Sequence, residues 1–412
     1  MIRSLLLTLL LGASLVHAET PLPAHARVAI IGDSITEQKL YSKYMEAYLL
    51  ACTGHSDMHV FQFGWSGERA SGFAARLKND LSVFNPNVAT TCYGMNDGSY
   101  TAYTDAIGAD YEKNMRLVLT GLKEVGVEKV VVGSPGAVDT KYFSRIDPAI
   151  YNDNLSHLRD IALKLANEDG QSFADVHETM IEVMAKAKAA LGEDYDVCGM
   201  DGVHPSPNGH LLMAEAFLKG LGLDGNIGKI TMNLSGESTA STGHKITAQS
   251  KGSVTLASTT WPFCFDADPK SSWSNRSILP FIAFNEDLNR YTLVVKGLTK
   301  DSAKVTWGSE SHEFTKAQLE DGINLAVEFT TTPFNAAFAD LINAIGAKQS
   351  FETTMIKNMI TQFRSMNKEA EGDAEFTNAL AVLKKKLTTK QAQYDTHVHS
   401  RLKAVTHTIT VE

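Results

Sequence analysis

From Arg27 to about Gly222, short apolar runs alternate with stretches of helical periodicity. The runs are Val28–Ile31, Val60–Phe63, Val88–Tyr93, Val130–Val132 and Phe173–Val176, rich in β-branched side chains, and each predicts a buried strand. Between them Leu40, Tyr44, Met45, Tyr48 and Leu49 recur at the spacing of one helix face. Met115, Leu117, Leu119, Leu122 and Val125 do so more loosely, and Gly209–Leu221 reads as a final helix. Strands alternating with helices predict an α/β catalytic-type domain over residues 25–224, a parallel sheet covered on both faces. Its loops, and any site, gather at the carboxyl ends of the strands.

After Leu223 the pattern changes. Residues 228–330 are rich in Ser, Thr and Gly and carry strand-like runs at Lys229–Leu234, Ser253–Ser258, Tyr291–Val295 and Val305–Trp307. With no helix of useful length expected before Lys316, they predict a small β-sandwich or barrel. Residues 331–412 turn helical again, from Phe334 to about Lys403 with a polar break near Asn367–Asp373. They read as a helical hairpin followed by a closing strand at Thr406–Val411. No internal repeat is present.

A length of 412 residues accommodates these units, and 43% hydrophobic with 21% charged residues excludes wholesale disorder. The formal charge of −9 excludes nucleic acid as a partner, because phosphate binding needs a basic surface. At the N-terminus, Arg3 precedes an apolar run, Leu5–Val16, too short to span a bilayer, and Val16-His17-Ala18 offers small residues for cleavage. This predicts a signal peptide over residues 1–18, cleaved after Ala18, and a secreted or periplasmic protein with no integral membrane segment. Cys52, Cys92, Cys198 and Cys264 fit no zinc spacing, and their three possible pairings stay open.

Four segments carry candidate chemistry. Ile31-Gly32-Asp33-Ser34-Ile35-Thr36 follows the first strand, where a serine can be exposed as a nucleophile. Asp201-Gly202-Val203-His204-Pro205 places an acid three residues before a histidine, which supplies a general base and the group that orients it. Gly94-Met95-Asn96-Asp97 ends the third strand with an amide donor suited to an oxyanion. Gly64-Trp65-Ser66-Gly67-Glu68-Arg69 follows the second strand, and glycine there lets backbone N–H groups approach a ligand. Ser66 is not the nucleophile of a G-x-S-x-G elbow, because Glu68 fills the last glycine position. Each segment alone reads as a turn; most other histidines read as ordinary surface or core residues. Their joint order converges on one sheet edge.

In that order the segments resemble the SGNH hydrolases, also called the GDSL family, over about residues 27–222. The resemblance implies a three-layer α/β/α sandwich that hydrolyses carboxylic esters without metal or other cofactor. It casts Ser34 as nucleophile, His204 as base and Asp201 as its orienting acid. The N–H groups of Ser34 and Gly67 and the Asn96 amide become the oxyanion donors, Gly67 being preferred to Gly64. With an export signal and an added β-domain, the expected substrate is a small-molecule or polysaccharide ester, with O-acetyl groups on a carbohydrate favoured. Trp261, Trp273 and Trp307 are candidate sugar platforms, at least one of them expected in the core. A lipid esterase, lysophospholipase or thioesterase is the alternative within enzymes, and a non-catalytic glycan-binding protein the alternative outside them. The roles of 331–405 and the oligomeric state are not legible.

Overall fold

The computed structural model describes residues 22–23, 25–55 and 57–412, so the export signal expected at 1–18 lies outside the described residues. Strands β1 (Arg27–Gly32), β2 (His59–Gln62), β3 (Val88–Cys92), β4 (Lys129–Gly133) and β5 (Ser172–Ala174) form a wholly parallel sheet in the order β2-β1-β3-β4-β5. Alternate residues of each strand serve opposite faces. In β1, Val28 and Ile30 enter one core while Ala29 and Ile31 enter the other. This is why the strands read as continuous apolar runs. Helices α1 (Ser34–Glu37), α2 (Tyr41–Ala47), α3 (Ala70–Leu81), α4 (Asp105–Glu124), α5 (Pro148–Glu168), α6 (Val176–Leu191) and α7 (Pro207–Gly220) complete the domain. Phe73 and Leu77 of α3, Met115 and Leu122 of α4, and Leu158 and Leu165 of α5 cover one face. Tyr41 of α2, Met180 of α6 and Leu211 of α7 cover the other, giving three layers.

Local chemistry adjusts two expectations. The run Phe173–Val176 ends as a strand at Ala174, because the Asp175 side chain accepts the Glu178 N–H and starts α6 at Val176. In α4 the buried stripe is Met115, Val118, Leu119 and Leu122, whereas Leu117 faces solvent and Val125 lies past the helix end.

The β-rich region forms two sheets from β6 (Asn226–Asn233), β7 (Thr239–Ala240), β8 (His244–Ser250), β9 (Ser253–Ser258), β10 (Arg290–Lys296), β11 (Ser302–Trp307), β12 (Glu310–Thr315), β13 (Ile323–Asn324) and β14 (Val405–Val411). One sheet runs β13-β10-β6-β7 and the other β12-β11-β14-β9-β8. Leu293 of β10, Leu256 of β9, Trp307 of β11 and Ile409 of β14 belong to one core. The edge strands β8 and β12 are mostly exposed and polar, so they lack the apolar signature of the inner strands. A 3₁₀ turn at Asn275–Phe281 and a short helix at Phe284–Leu288 interrupt the strands before Lys316. Trp261 and Trp307 are fully buried, whereas Trp273 is 70% exposed; of the three proposed platforms only Trp273 meets solvent.

The helices Asn335–Met355, Phe363–Glu369 and Ala374–His399 form the hairpin, which packs on the catalytic sheet beside β2. The strand that follows, β14, lies between β9 and β11 in the middle of the five-stranded sheet. The hairpin is thus an excursion out of the β-domain. All four cysteines are free thiols. No helix of the described residues is long and apolar enough to cross a membrane. Ile409 is wholly buried at the centre of the sheet. Ile409→Ala should therefore lower stability by about 2–5 kcal/mol, measured by urea unfolding.

Candidate active site

Ser34 sits where β1 turns into α1. Asp33 caps that four-residue helix, its Oδ1 accepting the Ile35 N–H at 2.9 Å, so the serine is the first helical residue and its Oγ faces the cleft. His204 Nε2 lies 2.8 Å from Ser34 Oγ, across 170 positions of sequence. On the other side of the ring, His204 Nδ1 lies 2.6 Å from Asp201 Oδ2. Asp201 Oδ1 accepts the Val203 and His204 N–H groups, each at 2.9 Å, which closes the loop and aims its second oxygen at the ring. Partial burial works to raise the Asp201 pKa, but those amides and the imidazole outweigh it and hold the carboxyl below its usual value. An ionised carboxylate on Nδ1 fixes the tautomer that leaves Nε2 free to accept a proton. The loop leads into α7, where His210 accepts the Tyr41 N–H through Nδ1 and faces Gln38 Oε1 through Nε2 at 2.9 Å. Burial drops the His210 pKa to about 3, so this second histidine is a neutral structural link.

The Asn96 side chain is fixed from both ends. Tyr100 OH donates to its Oδ1 at 3.2 Å, while Nδ2 reaches the Glu68 carbonyl at 3.2 Å and Asp33 Oδ2 at 3.4 Å. Asp97 ties two loops together, accepting the Ala70 N–H at 3.0 Å and the Gly94 N–H at 3.1 Å. Both acids are buried. Burial, opposed by the Ile35 N–H and reinforced by Asp97 and Glu68, raises the Asp33 pKa to about 7. Burial likewise lifts Asp97 to about 6 against the pull of its two amide donors.

The two glycines of the second segment have different jobs. A Cβ on Gly64 would lie 2.3 Å from the Glu37 nitrogen, so this glycine lets β2's exit loop press against α1. Gly67 is exposed at φ +73° with nothing near its absent side chain, and its backbone faces open space as an anion donor requires. Neither the Gly67 nor the Ser34 backbone N–H donates to a protein acceptor among the described residues. Glu68 beside it is locked by Arg76, through bonds of 2.7 and 2.8 Å, and by Tyr93 OH at 2.8 Å.

Several residues of this site carried no signal in the sequence. Glu37 accepts the Ser66 N–H, and Lys357 from the hairpin grips both Glu37 oxygens at 2.8 and 3.0 Å. The Trp65 ring lies between the Lys357 and Arg76 cations, at 5.0 and 4.9 Å. Residues 320 apart leave no local pattern, so Lys357 could not be found by spacing. Arg145, stacked 4.0 Å over Tyr100, was equally silent, whereas Trp273, one of the three candidate platforms, is the exposed one. The loop that bears Trp273 is tied to the start of α7, where Asn208, four residues after His204, donates its N–H to the Ser272 carbonyl.

Comparison with known proteins bears on the family and the fold. The GDSL-like lipase/acylhydrolase family matches residues 30–212. A gut microbial diltiazem-metabolizing enzyme is similar over nearly the whole chain, with TM-score 0.74, 20% identity, and 96% of this chain and 99% of that one covered. An acetylxylan esterase from Geobacillus stearothermophilus is similar over half of it, with TM-score 0.42, 22% identity, and 50% and 97% covered. No curated protein matches the chain. Residues 30–212 therefore carry a GDSL-like lipase/acylhydrolase domain, and the protein is a carboxylic ester hydrolase.

Proposed function

We propose that the protein is an exported serine esterase that removes O-acetyl groups from a carbohydrate. The observation that carries the catalytic part is the unbroken chain from Asp201 through His204 to Ser34, with contacts of 2.6 and 2.8 Å. His204 Nε2 takes the Ser34 proton as Oγ attacks the ester carbonyl, and returns it to the departing alcohol. The negative oxygen of the tetrahedral intermediate is met by the N–H groups of Ser34 and Gly67 and by Asn96 Nδ2. His204 then activates water, which releases the acid and frees Ser34.

The rim supports a sugar as the alcohol part. Tyr100 stacks on Tyr151 at 5.0 Å, and Phe143 packs against both; the exposed Arg145 guanidinium covers the outer ring. Trp273 stands exposed on the loop bound to the start of α7. The exposed indole of Trp273 and the exposed Arg145 guanidinium, a flat apolar face and a hydrogen-bond donor, suit a pyranose better than an alkyl chain. Export rests on the Arg3 and Leu5–Val16 pattern of the sequence.

Ser34→Ala should abolish acetate release from p-nitrophenyl acetate and acetylated oligosaccharides, and Asn96→Ala should lower turnover roughly 100- to 1000-fold. Wild-type preference for long-chain esters over acetate would instead favour a lipid esterase, and a folded protein that binds glycan without cleaving any ester would sink the enzymatic reading. Trp273→Ala should raise KM for acetylated oligosaccharides several-fold while leaving p-nitrophenyl acetate kinetics unchanged.

Asp33 adds a pH signature. Its carboxyl is protonated in the folded protein up to about pH 7 but ionises at its ordinary value near 3.8 when unfolded. The folded state therefore binds the extra proton between those values, and this group's contribution to stability falls as pH rises through that window. Asp33→Asn keeps an acceptor for the Ile35 N–H. Its melting temperature relative to wild type should climb from pH 4 to pH 7 and level off above.

A further inference from the structure

At the opposite end of the catalytic strands from Ser34, one group among the described residues brings three metal-ligating side chains together: His59, Asp395 and His399. His59 is the first residue of β2, at the amino end of the strand, while the catalytic loops leave from carboxyl ends. Asp395 and His399 are one turn apart on the second long hairpin helix, so both project from one face of it. His59 Nδ1 lies 2.6 Å from Asp395 Oδ2, and His399 Nε2 lies 3.7 Å from the same oxygen. All three ligand atoms fall within 4.8 Å of one another. Tetrahedral zinc with bonds of about 2.0–2.1 Å sets its ligand atoms roughly 3.4 Å apart. Small side-chain rotations reach that spacing from the observed one.

We propose that His59, Asp395 and His399 bind a zinc-class divalent ion that clamps the hairpin to the edge of the catalytic sheet. Two imidazole nitrogens and one carboxylate are the donor set of zinc and its borderline neighbours; magnesium and calcium require more oxygen ligands. His59 is 35% and His399 22% exposed at the side chain, so an ion can enter and water can complete its shell. Besides the Arg27 guanidinium, which also interacts with the Asp395 charge, the Lys348 ammonium stands 4.0 Å from the other Asp395 oxygen. Its charge is matched by Glu46 at 2.9 Å and Glu352 at 3.0 Å, which leaves the Asp395 Oδ2 side for the histidines. The ion would join segments 336 residues apart and take no part in ester cleavage.

The test is calorimetric titration of the chelator-dialysed full chain with Zn²⁺ alone, beside melting curves with and without the metal. One ion per chain should bind and raise the melting temperature, Mg²⁺ should do neither, and His399→Ala and His59→Gln should each weaken Zn²⁺ binding about tenfold or more. Circular dichroism establishes that each variant is folded. Anomalous scattering at the zinc edge from wild-type crystals should place the ion between the three side chains, which keeps the test open if a variant fails to fold. Absence of Zn²⁺ binding by the wild type, undiminished binding by both folded variants, or an ion located elsewhere would overturn the proposal.

Discussion

Lys348 carries its ammonium with no exposure to solvent, and much of the chain's C-terminal half is arranged to meet what that charge demands. Burial alone would strip its proton, but Glu352 and Glu46 hold its pKa above the ordinary lysine value. One glutamate is a turn away on the same helix and the other is on α2, while the carbonyl of Val60 in β2 accepts a third bond. Such a cluster tolerates the loss of no member, because the partner left behind is a bare buried charge. It therefore locks the orientation of helix Asn335–Met355 on the sheet. Around it, Ser42 donates to Gln349, Gln349 to Glu46, and Gln391 to Glu352. Glu352 also accepts the Gln62 N–H of β2, so an otherwise open sheet edge is covered and its backbone occupied.

That lock extends to the loop that carries Gly67, the proposed oxyanion donor. Nine residues beyond Lys348, the chain presents Lys357 to Glu37, which holds the loop carrying Gly67. A donor that must meet a developing negative charge is useful only if its position is set before the reaction. Here the setting comes from three directions: Lys357 through Glu37, Arg76 through Glu68, and Asp97 through Ala70 and Gly94. The β-domain contributes through contacts near the histidine loop. Tyr195 meets Ser277, and Asn208 donates its N–H to the Ser272 carbonyl, so the segment after His204 is tied to the loop that bears Trp273.

The placement of β14 explains how both appendages act as one. A chain that leaves the β-domain, covers β2 with a hairpin and returns to the middle of the five-stranded sheet cannot let the hairpin drift without breaking the pairs of β14 with β9 and β11. The His59–Asp395 contact lies on the return leg of that circuit. Trp261, wholly buried, donates its backbone N–H to the Ala51 carbonyl, and Tyr48 OH donates to the Leu288 carbonyl, so the β-domain is also bonded directly to the catalytic one.

What the sequence determined by itself was whatever is written locally. A doubly buried strand must be apolar at every position, so the catalytic sheet was legible as five runs. An acid, a turn and a histidine within four residues, and a serine at a strand end, announced their chemistry through the loops that hold them. Gly67 could be preferred to Gly64 by distance from the strand, but only the structure supplied the reason, a collision with α1 at one and open space at the other. The edge strands β8 and β12 were missed because their side chains face water and only backbone pairing makes them strands. Which tryptophans are buried, where the closing strand inserts, and that Lys357, Lys348 and Asp395 serve a domain about 300 residues earlier in the chain were decisions of tertiary packing alone. A buried charge chooses its partners by distance in space, and separation along the chain leaves no trace of that choice.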